Sequence, residues 1–111
     1  MKFLCLAYGA EADWRALSAD EQAALLGQDD VLRERGDLVA AVESAATTVR
    51  APHGDPHVTP QAFAESRLPL AGFSIIEAAN IEEAVRLVAG TPCARAGGAV
   101  ELRAISAIND P

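Results

Sequence analysis

The chain is poor in aromatic residues, which make up 5% of its 111 residues as three Phe, one Trp and one Tyr. Its hydrophobic half must therefore build a core from Ala, Val, Leu and Ile. The length is sufficient for one such core but not for two. We predict a single domain over residues 1–106, followed by a tail at 107–111.

Positive charge is also scarce. Lys2 is the single lysine, the eight arginines are scattered, and the formal net charge is −7. Nucleic-acid phosphates and anionic membrane surfaces repel such a chain. We therefore expect neither nucleic acid nor a membrane as a partner.

Cysteines are few and long apolar runs are missing. Cys5 and Cys93 stand far from each other and from any histidine, which argues against a disulfide framework or a metal motif. No segment approaches the roughly 20 apolar residues of a membrane-spanning helix. The first apolar run ends at Tyr8, and Glu11 and Asp13 follow too early for a signal peptide. A cytoplasmic, reducing location is expected.

Hydrophobic periodicity and turn residues predict helices and strands along most of the chain. Ser18 and Glu21 form a capping box at the start of the first helix, and Asn80 caps the second. Residues 91–98 are predicted as a loop with room for one irregular helical turn. The predicted helices cover residues 18–35 and 81–89, and the predicted strands cover 2–8, 37–42, 47–50, 57–59, 71–78 and 99–105.

The order of these elements predicts an α+β fold, a ferredoxin-like βαββαβ antiparallel sheet with two helices on one face. The residues predicted to face the core from the helices are Ala24, Leu25, Val31, Leu32, Ile81, Ala84, Val85 and Val88. Ile75 and Ile76 are apolar on both sides of their strand, so the second sheet face also needs cover. We predict a homodimer that packs sheet against sheet.

Several short segments, in order along the chain, carry a family resemblance. They are Lys-Phe-Leu-Cys-Leu-Ala-Tyr-Gly at 2–9, Trp14, Leu-Ser-Ala-Asp-Glu at 17–21, Ala-Thr-Thr-Val-Arg at 46–50, Val58, Thr59, Phe-Ala-Glu at 63–65, Leu-Ala-Gly-Phe at 70–73, Asn-Ile-Glu-Glu-Ala at 80–84 and Val-Glu-Leu-Arg at 100–103. With them the chain resembles the YCII-related family, in the branch named for an Asp-Gly-Pro-Phe motif. The resemblance implies a ferredoxin-like domain that dimerises into an α/β barrel, with a pocket in each subunit. It implies little about activity, and no cofactor is expected. Some members are found alongside extracytoplasmic-function sigma factors, which makes a sigma-factor association a further expectation.

The sequence departs from that family at the positions that would do chemistry. Pro60, Gln61 and Ala62 replace the Asp, Gly and Pro of the motif, and Phe63 alone remains. The broader family resembles enzymes with a His-Asp pair, but residues 18–35 contain no histidine. No catalytic set can be carried over, and the catalytic residues stay unknown.

Candidate ligand-binding residues follow that degenerate motif and flank the first helix. Phe63, Glu65 and Arg67 would form a pocket rim, with Arg67 binding an anionic group bidentately; alternatively the charges are a solvated loop pair. Asp29, with Gln28, could face partly inward and carry a proton, or flank the apolar stripe in water. Tyr8 and Trp14 could stack on a ligand or simply pack.

His53, Asp55 and His57 alternate in a turn rich in Pro and Gly. They fit a surface loop, a general base or a metal site, but no further ligand is evident, and no metal site is predicted. Cys5 reads as a buried hydrophobe and Cys93 as a loop thiol without a cation to activate it.

Three functions remain open on the sequence. The first is a small cytoplasmic dimer with a small-molecule pocket, the second an enzyme using a pocket carboxylate or histidine as general acid or base. The third is a regulatory interaction module associated with a sigma factor.

Overall fold

The computed structural model describes residues 1–109. The predicted tail falls partly outside this range, at Asp110 and Pro111. The elements are β1 Lys2–Tyr8, α1 Glu11–Arg15, α2 Ala19–Glu34, β2 Leu38–Ala41, β3 Thr48–Arg50, β4 His57–Thr59, β5 Leu70–Glu77, α3 Ile81–Val88, α4 Pro92–Arg95 and β6 Ala99–Ala104.

Four strands form one antiparallel sheet in the order β2-β5-β1-β6. The long strands β1 and β5 lie at its centre and pair Phe3 with Ile76 and Cys5 with Ser74. Cys5 is also opposite Leu102 on the edge strand β6. The predicted antiparallel sheet with helices is therefore confirmed. Within residues 1–109 no helix is both long and apolar enough to cross a membrane.

One face of this sheet packs on α2 and α3. Strand alternation sends Phe3, Cys5 and Ile76 to this face, where they form one buried cluster with Leu32 of α2 and with Ala84 and Val88 of α3. Leu32 is 1% exposed and Ile76 is 0% exposed. Aliphatic packing with a single Phe suffices to form this core.

The predicted helix stripes are only partly correct. Ala24 and Val31 are exposed on α2, and Ile81 and Val85 are exposed on α3. Ala84 and Val88 are buried as predicted, and Leu87, which was not predicted, packs against the same cluster, because residues three and four apart share one helix face. In α2 the stripe is narrow and centres on Leu32.

Helix α2 begins and ends where the sequence predicts. The Ser18 hydroxyl accepts from the Glu21 amide at 3.1 Å, and the Glu21 carboxylate accepts from the Ser18 amide at 2.9 Å. Gly36 follows the helix with φ of 93°, a conformation that glycine adopts without a steric penalty.

A small polar network joins the end of α2 to β5. The Asp37 carboxylate accepts from the Glu77 amide at 3.0 Å, and its second oxygen lies 2.9 Å from Nη1 of Arg35. Nη2 of Arg35 donates to the Glu77 carbonyl at 2.7 Å. The Asp37 side chain is 6% exposed, and its second oxygen is buried without a hydrogen bond, so its contact with Arg35 is an ion pair only.

Strands β3 and β4 form a separate two-stranded hairpin. They pair Val49 with Val58 and Arg50 with His57. We call residues 48–63, which comprise this hairpin and the segment up to Phe63, the arm. The sequence predicted both strands but not their separation from the main sheet.

Candidate functional site

A cleft opens where α2, α4 and the ends of β2 and β5 meet. It has two adjoining compartments, an inner one of ≈ 140 Å³ and an outer one of ≈ 480 Å³. The residues that line both compartments are Asp29, Ala41, Ala71, Pro92 and Cys93. The outer volume falls within the range of roughly 300–1,000 Å³ found for small-molecule sites.

Short side chains and close backbone contacts create this space. Ala41 pairs with Gly72 in the sheet, and a Cβ at Gly72 would lie 2.5 Å from the Ala40 carbonyl oxygen. Gly9 likewise leaves room for Cys93, whose Sγ would be 3.1 Å from a Cβ at that position. Small residues therefore let α4 approach the sheet while the cleft beside it stays open.

The inner compartment reaches the core. Its wall includes Cys5, Leu32 and Val88, with the buried hydroxyls of Ser74 and Thr91. The Thr91 hydroxyl donates to the Val88 carbonyl at 2.6 Å.

The outer compartment is mainly apolar. Its apolar wall includes Trp14, Leu26, Val42, Pro69 and Leu70. Among residues 1–109, the charged side chains lining it are Glu11 and Asp29. The outer compartment is thus an apolar space with negative charge.

Asp29 is a carboxylate whose chemistry this environment changes. It lies one helical turn before Leu32, so the turn that buries Leu32 also brings Asp29 partly inward. Burial raises the pKa of the Asp29 carboxyl, the Arg33 charge lowers it, and Asp30 raises it further. The net direction is upward, which makes this carboxyl a better proton carrier near neutral pH than an exposed aspartate.

Both thiols are held in the protonated form. Burial, followed by the charge of Asp29, raises the pKa of the Cys93 thiol. Burial also raises the pKa of Cys5, against a hydrogen bond with Ser74, and the Asp37 charge adds to the rise. Thiolate chemistry at Cys93 is therefore disfavoured.

The structure brings together only some of the predicted binding residues. Trp14 and Asp29 both line the outer compartment. Tyr8 is half-buried at the end of β1 and lines neither compartment. Glu65 and Arg67 are exposed outside both compartments, and Phe63 is 75% exposed in the arm with the Arg50 guanidinium 5.9 Å from its ring centroid.

His53, Asp55 and His57 are all exposed in the arm. Within residues 1–109, no group of three His, Cys, Asp or Glu side chains is arranged to hold a metal ion.

Sequence reasoning missed two elements of the cleft wall. Helix α1, which carries Trp14, went unpredicted although Glu11 and Arg15 have the spacing of a helical ion pair and lie 3.1 Å apart. Helix α4 was predicted only as one irregular turn, yet Thr91 followed by Pro92 is a recognisable helix start. Neither signal would have placed Cys93 beside Asp29, because that proximity depends on tertiary packing.

Comparison with known proteins places this chain in a family. The model of the YCII-related domain matches residues 1–109, and the chain belongs to that family. No curated protein matches the sequence.

A solved structure shares the fold. It is a 5-chloro-2-hydroxyhydroquinone dehydrochlorinase from Burkholderia phenoliruptrix, in complex with 2,5-dihydroxybenzoquinone. Its sequence is 18% identical, the alignment covers 96% of this chain and 94% of that chain, and the TM-score is 0.50.

Proposed function

We propose that this chain is a small-molecule-binding protein of the YCII-related type and that its ligand occupies the outer compartment. The observation that carries the proposal is the ≈ 480 Å³ apolar cleft with the Asp29 carboxyl in its wall. Such a combination of apolar lining and one polar group with a perturbed pKa is typical of ligand sites.

The charge of the cleft favours an uncharged ligand. Glu11 and Asp29 disfavour anions in the outer compartment, and this effect is weakened by Arg15, which pairs with Glu11 at 3.1 Å, and by Arg33 in the inner wall. An apolar wall disfavours strongly hydrated groups. The Trp14 ring offers a surface on which a flat ring can stack, and the Asp29 carboxyl can accept a hydrogen bond from a hydroxyl. The structurally similar dehydrochlorinase was solved with a small oxygen-bearing ring. That ligand supports a ring but not its neutrality, because a dihydroxybenzoquinone is a vinylogous acid that ionises readily. We therefore propose a small, uncharged, hydroxylated ring as the ligand class.

We further propose a cytoplasmic homodimer with the arrangement of a dimeric α/β barrel, built from ferredoxin-like subunits. The face of the sheet turned away from the helices carries Leu4, Leu6, Phe73 and Ile75 by strand alternation. These side chains lie outside the buried cluster. A second copy placed on this face would remove apolar surface from water, at about 25 cal/mol per Å².

Trp14 provides the test of the ligand site, because it is the single Trp of the chain. Its indole N–H gives one resolved signal in a ¹⁵N-labelled sample, which can be followed during titration with hydroquinone and with 2,5-dihydroxybenzoate. We expect hydroquinone to shift this signal saturably and the carboxylated analogue to bind at least tenfold more weakly. If neither compound shifts it, or if the anion binds more tightly, the proposed ligand class is wrong.

A matched pair of variants tests the location of the site. Leu26→Trp places a larger side chain in the wall of the outer compartment, whereas Val31→Trp places it at a similarly exposed position of the same helix that lines neither compartment. Because these variants contain a second Trp, saturation transfer to hydroquinone replaces the indole signal as the readout. Leu26→Trp should abolish binding and Val31→Trp should retain it; equal effects would place the ligand elsewhere.

The raised pKa of Asp29 favours a second candidate function. This is an enzyme in which Asp29 acts as general acid or base on a small hydroxylated ring. The measurement is chloride release from 5-chloro-2-hydroxyhydroquinone by the wild-type protein and by Asp29→Asn. Release that depends on Asp29 would support this candidate, and no release from the wild type would remove this reaction. The regulatory module associated with a sigma factor stays a prediction from the family resemblance.

A further inference from the structure

The arm is an ordered element without a core of its own. Every residue from 49 to 67 is exposed. Val49 is 60% exposed, its cross-strand partner Val58 is 62% exposed, and Phe63 is 75% exposed. Three apolar side chains therefore lie in water on one projecting segment.

The molecule also extends well beyond a compact shape. The radius of gyration is 15.7 Å and the longest dimension is 50 Å, whereas a compact chain of this length has a radius of about 13 Å. An isolated two-stranded hairpin is marginally stable in water. An arm of this length and exposure is thus expected to gain its stability from a surface that covers it.

We propose that the arm of each chain docks on the body of a second copy of the same chain. This inference rests on the proposed homodimer and adds that the arm is exchanged between its subunits. Two apolar surfaces, the exposed arm and the half-buried sheet face with Leu4, Leu6 and Phe73, belong to one molecule. A two-fold axis lets each copy cover the other reciprocally.

The distribution of charge favours this occupant. The arm contains Arg50, Asp55 and both histidines of the chain, so its formal charge is zero and the net charge of −7 lies on the remaining residues. In the proposed homodimer, contact between the two acidic bodies brings like charges together, which costs affinity. A neutral arm adds contact with the acidic body without adding to that repulsion.

Phe63 and Arg50 form the anchor of the arm. The Arg50 guanidinium lies 5.9 Å from the Phe63 ring centroid, within the range of a cation–π contact. The Thr48 hydroxyl donates to the Gln61 carbonyl at 2.6 Å and ties this segment to the hairpin. Arginine and aromatic side chains that are held in place before binding are typical interface anchors.

Photo-crosslinking in mixed-isotope dimers tests the exchange directly. A benzophenone amino acid replaces Val58, and unlabelled and ¹⁵N-labelled chains are refolded together before irradiation. We expect crosslinked peptides that join a light arm to a heavy body, and the reverse. If light scattering shows a dimer but every crosslink joins peptides of the same isotope, the arm exchange is wrong and the homodimer remains supported. A mass of 11.6 kDa in light scattering would overturn both.

Surface substitutions provide a second readout. We expect Val49→Ser, Val58→Ser and Phe63→Ser together to raise the dimer dissociation constant at least tenfold. The control, Val31→Ser with Val85→Ser, replaces valines of 46% and 49% exposure on the helices and should leave the constant unchanged. Circular dichroism checks that both proteins are folded. Equal dissociation constants for the two sets of variants would contradict the proposal.

Discussion

Two ion pairs of equal length at the end of α2 should differ greatly in their contribution to stability. Arg35 and Asp37 lie 2.9 Å apart, as do Arg33 and Asp30. The Asp37 side chain is 6% exposed, whereas that of Asp30 is 65% exposed. We predict that Asp37→Ala strongly destabilises the protein and that Asp30→Ala does not.

The magnitude follows from the groups that lose their partner. Asp37→Ala leaves the Glu77 amide without its acceptor, which costs roughly 1 kcal/mol, because this hydrogen bond is exposed and water can replace the acceptor. It also removes the charge that faces Arg35. Loss of a fully buried pair costs about 3–5 kcal/mol, but Arg35 is 32% exposed and keeps its bond to the Glu77 carbonyl. We therefore expect a total of about 3 kcal/mol, against under about 1 kcal/mol for the exposed pair.

Urea unfolding at one fixed protein concentration provides the assay, because association would make the midpoint depend on concentration. A loss of about 3 kcal/mol corresponds to a decrease of roughly 10 °C in Tm for a domain of this size. Asp37→Asn should lie between the wild type and Asp37→Ala, since it retains an acceptor for the Glu77 amide. Equal losses for Asp37→Ala and Asp30→Ala would refute the assignment of the effect to burial.

Three further predictions concern the cleft and the sheet. Burial raises the folded-state pKa of Asp29. Its favourable contribution to the free energy of unfolding is therefore present below its unfolded pKa of about 3.9 and is lost as the pH rises through the folded value. In urea titrations, Asp29→Asn should thus stabilise the protein at pH 7 and lose this advantage at pH 3. Gly72→Ala should cost about 1–3 kcal/mol by pushing β2 from β5, whereas Gly27→Ala, with nothing within 4 Å, should gain up to about 1 kcal/mol; equal signs in urea unfolding would contradict this. Alkylation of Cys93 by iodoacetamide should be slower at pH 8 than that of a free thiol, because its pKa is raised; an equal rate would argue against it.

Local signals predicted most of the secondary structure. The Ser18 and Asn80 caps act within one turn of the chain, so the residues themselves determine where α2 and α3 begin. The alternation of Phe73, Ser74, Ile75 and Ile76 likewise predicts both faces of β5. The separation of β3 and β4 from the main sheet was not predictable in this way, since strand propensity does not specify the pairing partner.

The candidate site depended on contacts between distant segments. Trp14 and Asp29 were predicted as binding residues, and the cleft contains both. Cys93 joins them only because α4 packs beside α2 and β1. Glu65 and Arg67 were predicted from their place after a degenerate motif. The structure puts them on the exposed return from the arm, which sequence position alone does not reveal.

The segments that lead into and out of the arm are paired with each other in the main sheet. Ala41 pairs with Gly72, and the Val42 amide donates to the Ala71 carbonyl at 3.0 Å. The two ends of the intervening segment are therefore fixed by the sheet itself, and changes in the length of that segment carry only a small loop-closure cost. Relatives with the same pairing at these two ends can differ in the length and sequence of the arm while the register of β2 and β5 stays the same. Partner choice and the core of the subunit can then vary independently.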